Sequence, residues 1–436
     1  MLGIFLGLAV MIFLAYKGYS ILWVGPVSAM IVALFGGLDL LTAYTDNYMN
    51  GLVGFVLSWF PMFMLGAIFG KIMEVTGAAR SIAKKLAELI GADKAVLAVV
   101  ISTGIMVYGG ISLFVVVFAI YPISVTLFRE ANLPRRLIPG CIACGAFTFS
   151  MTAFPGSPQL NNIIPSQYFG TTAMSGPIIG IICGIIMLVL GVIWLNYRVK
   201  KMVAAGEVFD EPGNLEKIDD ADDPNPYLSL LPLIVVILVL NVLPKVVTLA
   251  NPSTYSIIIA LLCGIVLAVL LNLKKRGLCL EALSKGAGSS VGATMNTAAA
   301  VGFGAVVRAV PGFAALTAII FGIKASPLIS EALSVTLLAG ATGSSSGGLG
   351  IALAALGENF VELSAQSGIS LDVFHRVAAI ASGGLDSLPH CGGIVTILVA
   401  CKMNHKKSYL DMCMTTCIIP VVALIVAIIL GSIGIC

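Results

Sequence analysis

The chain has 436 residues, of which 59% are hydrophobic and only 10% charged, with a mean hydropathy of +1.06. A soluble domain carries roughly 25% charged residues, so a water-soluble globule is excluded, and a net charge of +3 is too small for a nucleic-acid surface. At about 20 apolar residues per bilayer crossing the length accommodates about ten crossings, which leaves an all-α polytopic membrane protein as the fitting class.

In chain order, uncharged apolar runs predict helices at 2–16, 18–36 and 51–70, followed by a basic amphipathic stretch at 71–94. The first run has neither a basic leader nor a polar segment after it, so it reads as a membrane helix and not a cleaved signal. The uncharged run 95–128 is interrupted at Gly109 and Gly110, which suggests a hairpin. Residues 133–170 begin as an apolar helix but are too rich in Pro, Asn and Ser after 148 to remain one, and a crossing at 173–195 follows.

Between 203 and 226 the composition changes: eight of the 21 acidic residues fall here with Pro212, Pro224 and Pro226, the pattern of a solvated linker. The second half predicts helices at 229–246, 253–272 and 286–307 and a weakly polar stretch to Lys324. A second hairpin at 326–364 follows, broken by the Gly/Ser cluster 340–350, then an interrupted helix at 372–401 and a last crossing at 409–434.

The halves 1–202 and 227–436 repeat the same order of elements. Phe69-Gly70 aligns with Phe303-Gly304 at an offset of 234, and Gly109-Gly110 with Gly347-Gly348 at 238. If both hairpins return to the side they left, 20 of the 24 Lys and Arg residues fall on one face, leaving Lys245, Arg308, Lys324 and Arg376 opposite. The richer face is then cytoplasmic, as expected for an inner-membrane protein, and the two halves have inverted topology.

Irregular backbone at membrane depth survives only where protein or a polar cavity satisfies it. Four such places are predicted. The first hairpin tip holds Ser102, Thr103, Tyr108, Gly109, Gly110 and Ser112; the first break holds Thr148, Ser150, Thr152, Pro155, Gly156, Ser157, Gln159, Asn161 and Asn162. Their counterparts are Thr342, Gly343, Ser344, Ser345, Ser346, Gly347 and Gly348, then Asp386, Ser387, Pro389, His390, Gly392 and Gly393. Small residues also allow close helix packing, but four clusters at matching places point to a shared cavity.

None of these clusters holds a Lys or Arg, so an anion there would rest on free N–H groups at helix N-termini. That favours a small monocarboxylate, with Ser, Thr, Asn and Gln pairing to its hydroxyl groups. Asp386, with His390 four residues on, is the one carboxylate deep in an interrupted crossing. Such a group is costly unless paired or used; it fits either a helix cap beside a neutral histidine or a proton carrier, and the second is the functional expectation. Gly343-Ser344-Ser345-Ser346-Gly347 matches a hydrolase elbow, but no α/β sheet is predicted to carry it, so no enzyme is expected. The ten cysteines read as small apolar residues, and neither a metal nor a cofactor is expected.

The segment 382–401, SGGLDSLPHCGGIVTILVAC, with HKKSY at 405–409, resembles the gluconate permease family of proton symporters, in which Asp-Ser/Thr-Leu-Pro-His is characteristic. FPGSPQLNNIIP at 154–165 is similar to that family's first-half motif. The resemblance implies the ion-transporter superfamily fold: inverted repeats, re-entrant hairpins, interrupted helices and a dimeric scaffold. It further implies an elevator whose moving part draws on 71–195 and 308–436, carrying gluconate-like sugar acids or short hydroxy acids. Cys391 stands where many members carry Asn, which tilts the implied substrate toward the smaller acids. Sodium-coupled uptake of di- or tricarboxylates is the competing expectation.

Overall fold

The computed structural model describes residues 1–17, 19–211, 223–313, 315, 326–389 and 391–436. His390, the middle of the acidic linker and most of the stretch leading to Lys324 therefore lie outside the described residues. Every regular element described is helical, as expected where hydrocarbon offers no partner for backbone N–H and C=O groups.

The first half comprises α1 (Leu2–Tyr16), α2 (Ile21–Gly36), α3 (Met49–Val75), α4 (Ala78–Ile90), α5 (Ala95–Tyr108), α6 (Leu113–Glu130), α7 (Ile138–Phe147), α8 (Leu160–Phe169) and α9 (Pro177–Ala204). The second comprises α10 (Pro226–Val246), α11 (Pro252–Leu271), α12 (Arg276–Ala309), α13 (Pro327–Thr342), α14 (Ser345–Ser367), α15 (Leu371–Ala381), α16 (Gly392–Ala400), α17 (His405–Cys413) and α18 (Ile419–Ser432). Among the described residues seven helical spans are long and apolar enough to cross a membrane, or eight if the pair bent by 98° after Ile90 counts as one. This is fewer than the ten that length alone suggests, because runs such as Ile21–Gly36 and Pro327–Thr342 form shorter helices.

Several boundaries differ from the sequence expectation for identifiable reasons. The run expected from residue 18 starts at Ile21, where Ser20 caps the helix by accepting from Leu22 N–H. The helix expected at 286–307 runs from Arg276 to Ala309, since no Pro breaks the small-residue stretch before Gly286. The crossing expected at 173–195 runs from Pro177 to Ala204, continuing into its basic end.

Packing follows small residues. The long helices α3 and α12 lie against each other, and a Cβ added at Gly286 would fall 2.6 Å from Ile68 Cα. α12 also carries α2 and α14, while α10 and α11 pair beside α3. The two halves interleave: α8 contacts α14 and α15, α6 contacts α16, and α7 contacts α17. α4 buries Ala79, Ile82, Ala83 and Ala87 and exposes Lys84 and Glu88, the two-faced arrangement that its sequence prescribes. The described ends of the linker are fastened to this body by Arg129–Glu211, Arg135–Asp210, Arg136–Glu207 and Arg80–Asp223 ion pairs.

α13 and α14 approach most closely at Gly348, where a Cβ would land on the backbone N and Cα of Ala339. Backbone cannot swing aside as a side chain can, so Gly348→Ala forces the two helices apart. The expected loss is about 1–3 kcal/mol, read as a lowered melting temperature of the detergent-solubilised protein.

Candidate functional site

Four non-helical or turn segments interrupt the helices, and their local chemistry explains why. Between α5 and α6 the chain turns at Gly110, whose φ of +97° suits glycine. After α7 a π-turn at Phe149–Ala153 gives way to Phe154–Gln159, where Pro155, Gly156 and Pro158 cannot continue a helix. Between α13 and α14, Gly343 (φ +59°) ends one helix and Ser344 caps the next by accepting from Gly347 N–H at 3.1 Å. Between α15 and α16 the described residues 382–389 and 391 lie outside helix.

These four segments touch one another. Tyr108 donates its hydroxyl to Pro155 O at 2.7 Å, Gln159 donates to Val107 O, and Pro158 lies against Gly110. Asn161 donates to Ser382 Oγ at 2.7 Å and Thr152 lies against Gly383, so the two breaks meet across the halves. Ser345 Oγ stands 3.9 Å from Met151 Sδ, joining the α14 N-terminus to the first break. Gly393, at the start of α16, packs against Phe147 and Leu113. Among the described residues α6, α8, α14 and α16 thus all begin at this junction, which gathers four helix N-termini around one region.

Not every candidate residue faces the junction with a free polar atom. Thr152 donates back to Thr148 O at 3.0 Å, and Asn162 commits its amide to Ser157 O and Ala173 O at 2.9 and 2.8 Å. Ser102 Oγ, Ser157 Oγ and Asn162 Oδ1 are buried and have no hydrogen-bond partner among the described residues. Ser112 and Ser346 are half-buried in the opening turns of α6 and α14, while Gly109 is held against Leu233 of α10. Asp386 is 1% exposed; Ser387 Oγ donates to its Oδ1 at 3.1 Å, and Tyr409 donates to Ser387 O at 3.1 Å. His390 belongs to the same segment but lies outside the described residues. A cavity of about 110 Å³ lies elsewhere, lined by apolar residues including Ile4, Val32, Phe35 and Val310.

Three residues differ from, or add to, what the sequence suggested. Arg376, assigned above to an outer flank, is fully buried and donates to carbonyls of the first break and of the 173–175 loop. Glu331, which reads as interfacial from its place near a segment end, is fully buried, and neither oxygen has a hydrogen-bond partner among the described residues. Asn241, the only Asn in α10, donates to Gly156 O at 2.8 Å and ties that helix to the first break. A lone amide in an apolar run was the available signal for Asn241; the burial of Arg376 and Glu331 depends on helices distant in sequence.

An all-α polytopic chain with polar helix interruptions gathered at one junction has the features of a membrane transporter. The family model for GntP family permeases matches residues 1–433, and the chain belongs to that family. It is 38% identical over 447 residues to the "Uncharacterized transporter YxjC" of Bacillus subtilis (strain 168), with 94% of each chain covered. Its fold is similar to that of the Alcanivorax borkumensis YdaH transporter, whose crystal structure is described as having an unusual topology. The TM-score is 0.59 at 15% identity, covering 91% of this chain and 88% of that one. The protein is a multi-pass membrane transporter and not an enzyme.

Proposed function

We propose that this permease is a proton-coupled symporter of a small organic monocarboxylate, a gluconate-like sugar acid or a short hydroxy acid, in the inner membrane. The observation that carries the reading is the junction itself: four helix N-termini, the partnerless buried atoms Ser157 Oγ and Asn162 Oδ1 and one buried carboxylate belong to segments of both halves that leave the helix and touch one another. N-termini attract the substrate carboxylate, hydroxyl and amide groups pair with its hydroxyls, and Asp386 carries the proton. His390 shares that last role.

In this reading 1–202 and 227–436 are inverted repeats, and 95–128 and 326–364 are re-entrant hairpins. Helices within 1–70 and 229–307 form the scaffold of a homodimer, against which the remainder moves as an elevator. The close packing of the junction supports such motion, because substrate enters only after a rearrangement of whole elements.

The test is uptake into proteoliposomes of an acid first identified by thermal shift among sugar acids and short hydroxy acids. Accumulation is expected to follow an inward proton gradient, to collapse with a protonophore and to need no sodium. Accumulation driven by sodium alone would replace this reading with the sodium-coupled one, and conduction without counterflow would indicate a channel.

A further inference from the structure

Arg376 is fully buried on α15, and its guanidinium has no ion-pair partner among the described residues. It is held by neutral carbonyls instead. Nε and Nη2 donate to Ser175 O at 3.0 and 2.6 Å, Nη1 donates to Ala153 O at 3.2 Å, and Nη2 also reaches Ala173 O at 3.2 Å. Room for the side chain comes from two glycines. A Cβ at Gly176 would fall 2.5 Å from Arg376 Cβ, and one at Gly180 would fall 3.1 Å from Nε.

This arrangement is unlike that of Arg135, the arginine that precedes the other interrupted helix. Arg135 donates to Cys401 O beyond α16, as Arg376 donates to carbonyls beyond α8, so each arginine braces the far end of the other half's broken helix. Arg135, however, also meets the Asp210 carboxylate at 3.0 Å. The hydrogen-bond acceptors of Arg376 are all carbonyls. Carbonyls satisfy its N–H groups without cancelling its charge, and a buried unpaired charge is costly unless something else neutralises it.

The position of that charge is informative. Ala173 O accepts from Arg376, from Gly156 N–H at 2.8 Å and from Asn162 Nδ2 at 2.8 Å, so one oxygen links the guanidinium to the first break. Asn162 Oδ1 and Ser157 Oγ, two of the partnerless polar atoms, belong to this same node. The unbalanced positive charge is therefore directly behind the backbone that lines the junction.

We infer that Arg376 is the fixed positive charge that makes the junction select anions, acting through the first break as a positioning residue and neutralised by the substrate carboxylate when it binds. This inference rests on the proposal that the junction binds a carboxylate. At an effective dielectric of about 20, a unit charge about 10 Å from a carboxylate changes affinity on the order of tenfold.

The experiment compares wild type, Arg376→Lys and Arg376→Gln in detergent, with D-gluconate, glycerate, glycolate and D-lactate as probes and thermal shift and counterflow as readouts. Both variants lose the guanidinium fork, and their ligand-free melting temperatures are expected to fall together. Arg376→Lys is expected to keep affinity for the best-bound acid within about threefold, and Arg376→Gln to lose about tenfold or more. Equal affinity in the two variants would overturn the inference and leave Arg376 a brace alone. If wild type binds none of the four acids, the carboxylate reading fails and takes this inference with it. Should Arg376→Gln not accumulate, Arg376→Met takes its place: an affinity about tenfold or more below that of Arg376→Lys supports the inference, and equal affinity overturns it.

Discussion

Asp386→Asn is expected to abolish proton-driven accumulation while leaving exchange of substrate across the membrane intact. The carboxylate is buried in the second break and receives one hydroxyl, from Ser387, which Tyr409 in turn fixes through its backbone carbonyl. Asn has the same shape and retains an oxygen to accept from Ser387, so the segment keeps its geometry. It cannot, however, bind and release a proton. Net uptake against a gradient needs that step; counterflow, in which loaded carrier exchanges one substrate molecule for another, does not. A capping role gives a different result, because Asn caps about as well as Asp and driven uptake would be unchanged. The same pair of assays on His390→Gln separates the two candidate proton carriers.

The largest expected loss of stability comes from a different buried charge. Asp411 on α17 is 1% exposed and accepts from Arg198 Nε of α9 at 2.6 Å and from Trp194 Nε1 at 3.2 Å. The Arg198 side chain is itself only 12% exposed, so Asp411→Ala strands a guanidinium with little water to solvate it. Removing one partner of such a pair costs about 3–5 kcal/mol, whereas removing both costs less because no charge is left alone. A melting temperature that falls steeply for Asp411→Ala and recovers in part for Asp411→Ala/Arg198→Ala is the expected result. Two additive losses would mean that the pair is not coupled.

The contrast between these residues shows what a sequence of this kind discloses. The all-helical membrane class follows from composition, since uncharged runs of this length have no other stable home. Local backbone chemistry is legible too: Pro155, Gly156 and Pro158 crowded into four residues deny helix where a single proline such as Pro61 or Pro122 does not, and Ser344 before Gly347 announces a cap. Charge placement is not legible in this way. Arg376 and Arg129 look alike in the sequence, yet Arg129 meets Glu211 at the surface while Arg376 is enclosed by carbonyls from 153, 173 and 175. Glu74 and Glu331 likewise both stand near the ends of apolar runs. Glu74 is exposed and paired with Lys71 at 2.6 Å, whereas Glu331 is buried by the packing of α13. Periodicity reports which face of a helix is apolar, but the partner of a buried charge lies 200 residues away in the chain, as for Arg376 and Ser175, about 201 positions apart.

The relation to the GntP family extends over residues 1–433, so the segments that form the junction all lie within the matched part. Transport through the junction requires that substrate occupy it. An electron cryo-microscopy structure of the protein in bilayer discs, saturated with an acid that it transports, is the direct measurement. Ligand density is expected between Gly110, Ser157, Ser345 and Ser387, with its carboxylate toward the N-termini of the helices that start there. Density in the cavity beside α1 and α2, or anywhere that leaves these four segments in unaltered mutual contact, would contradict this placement.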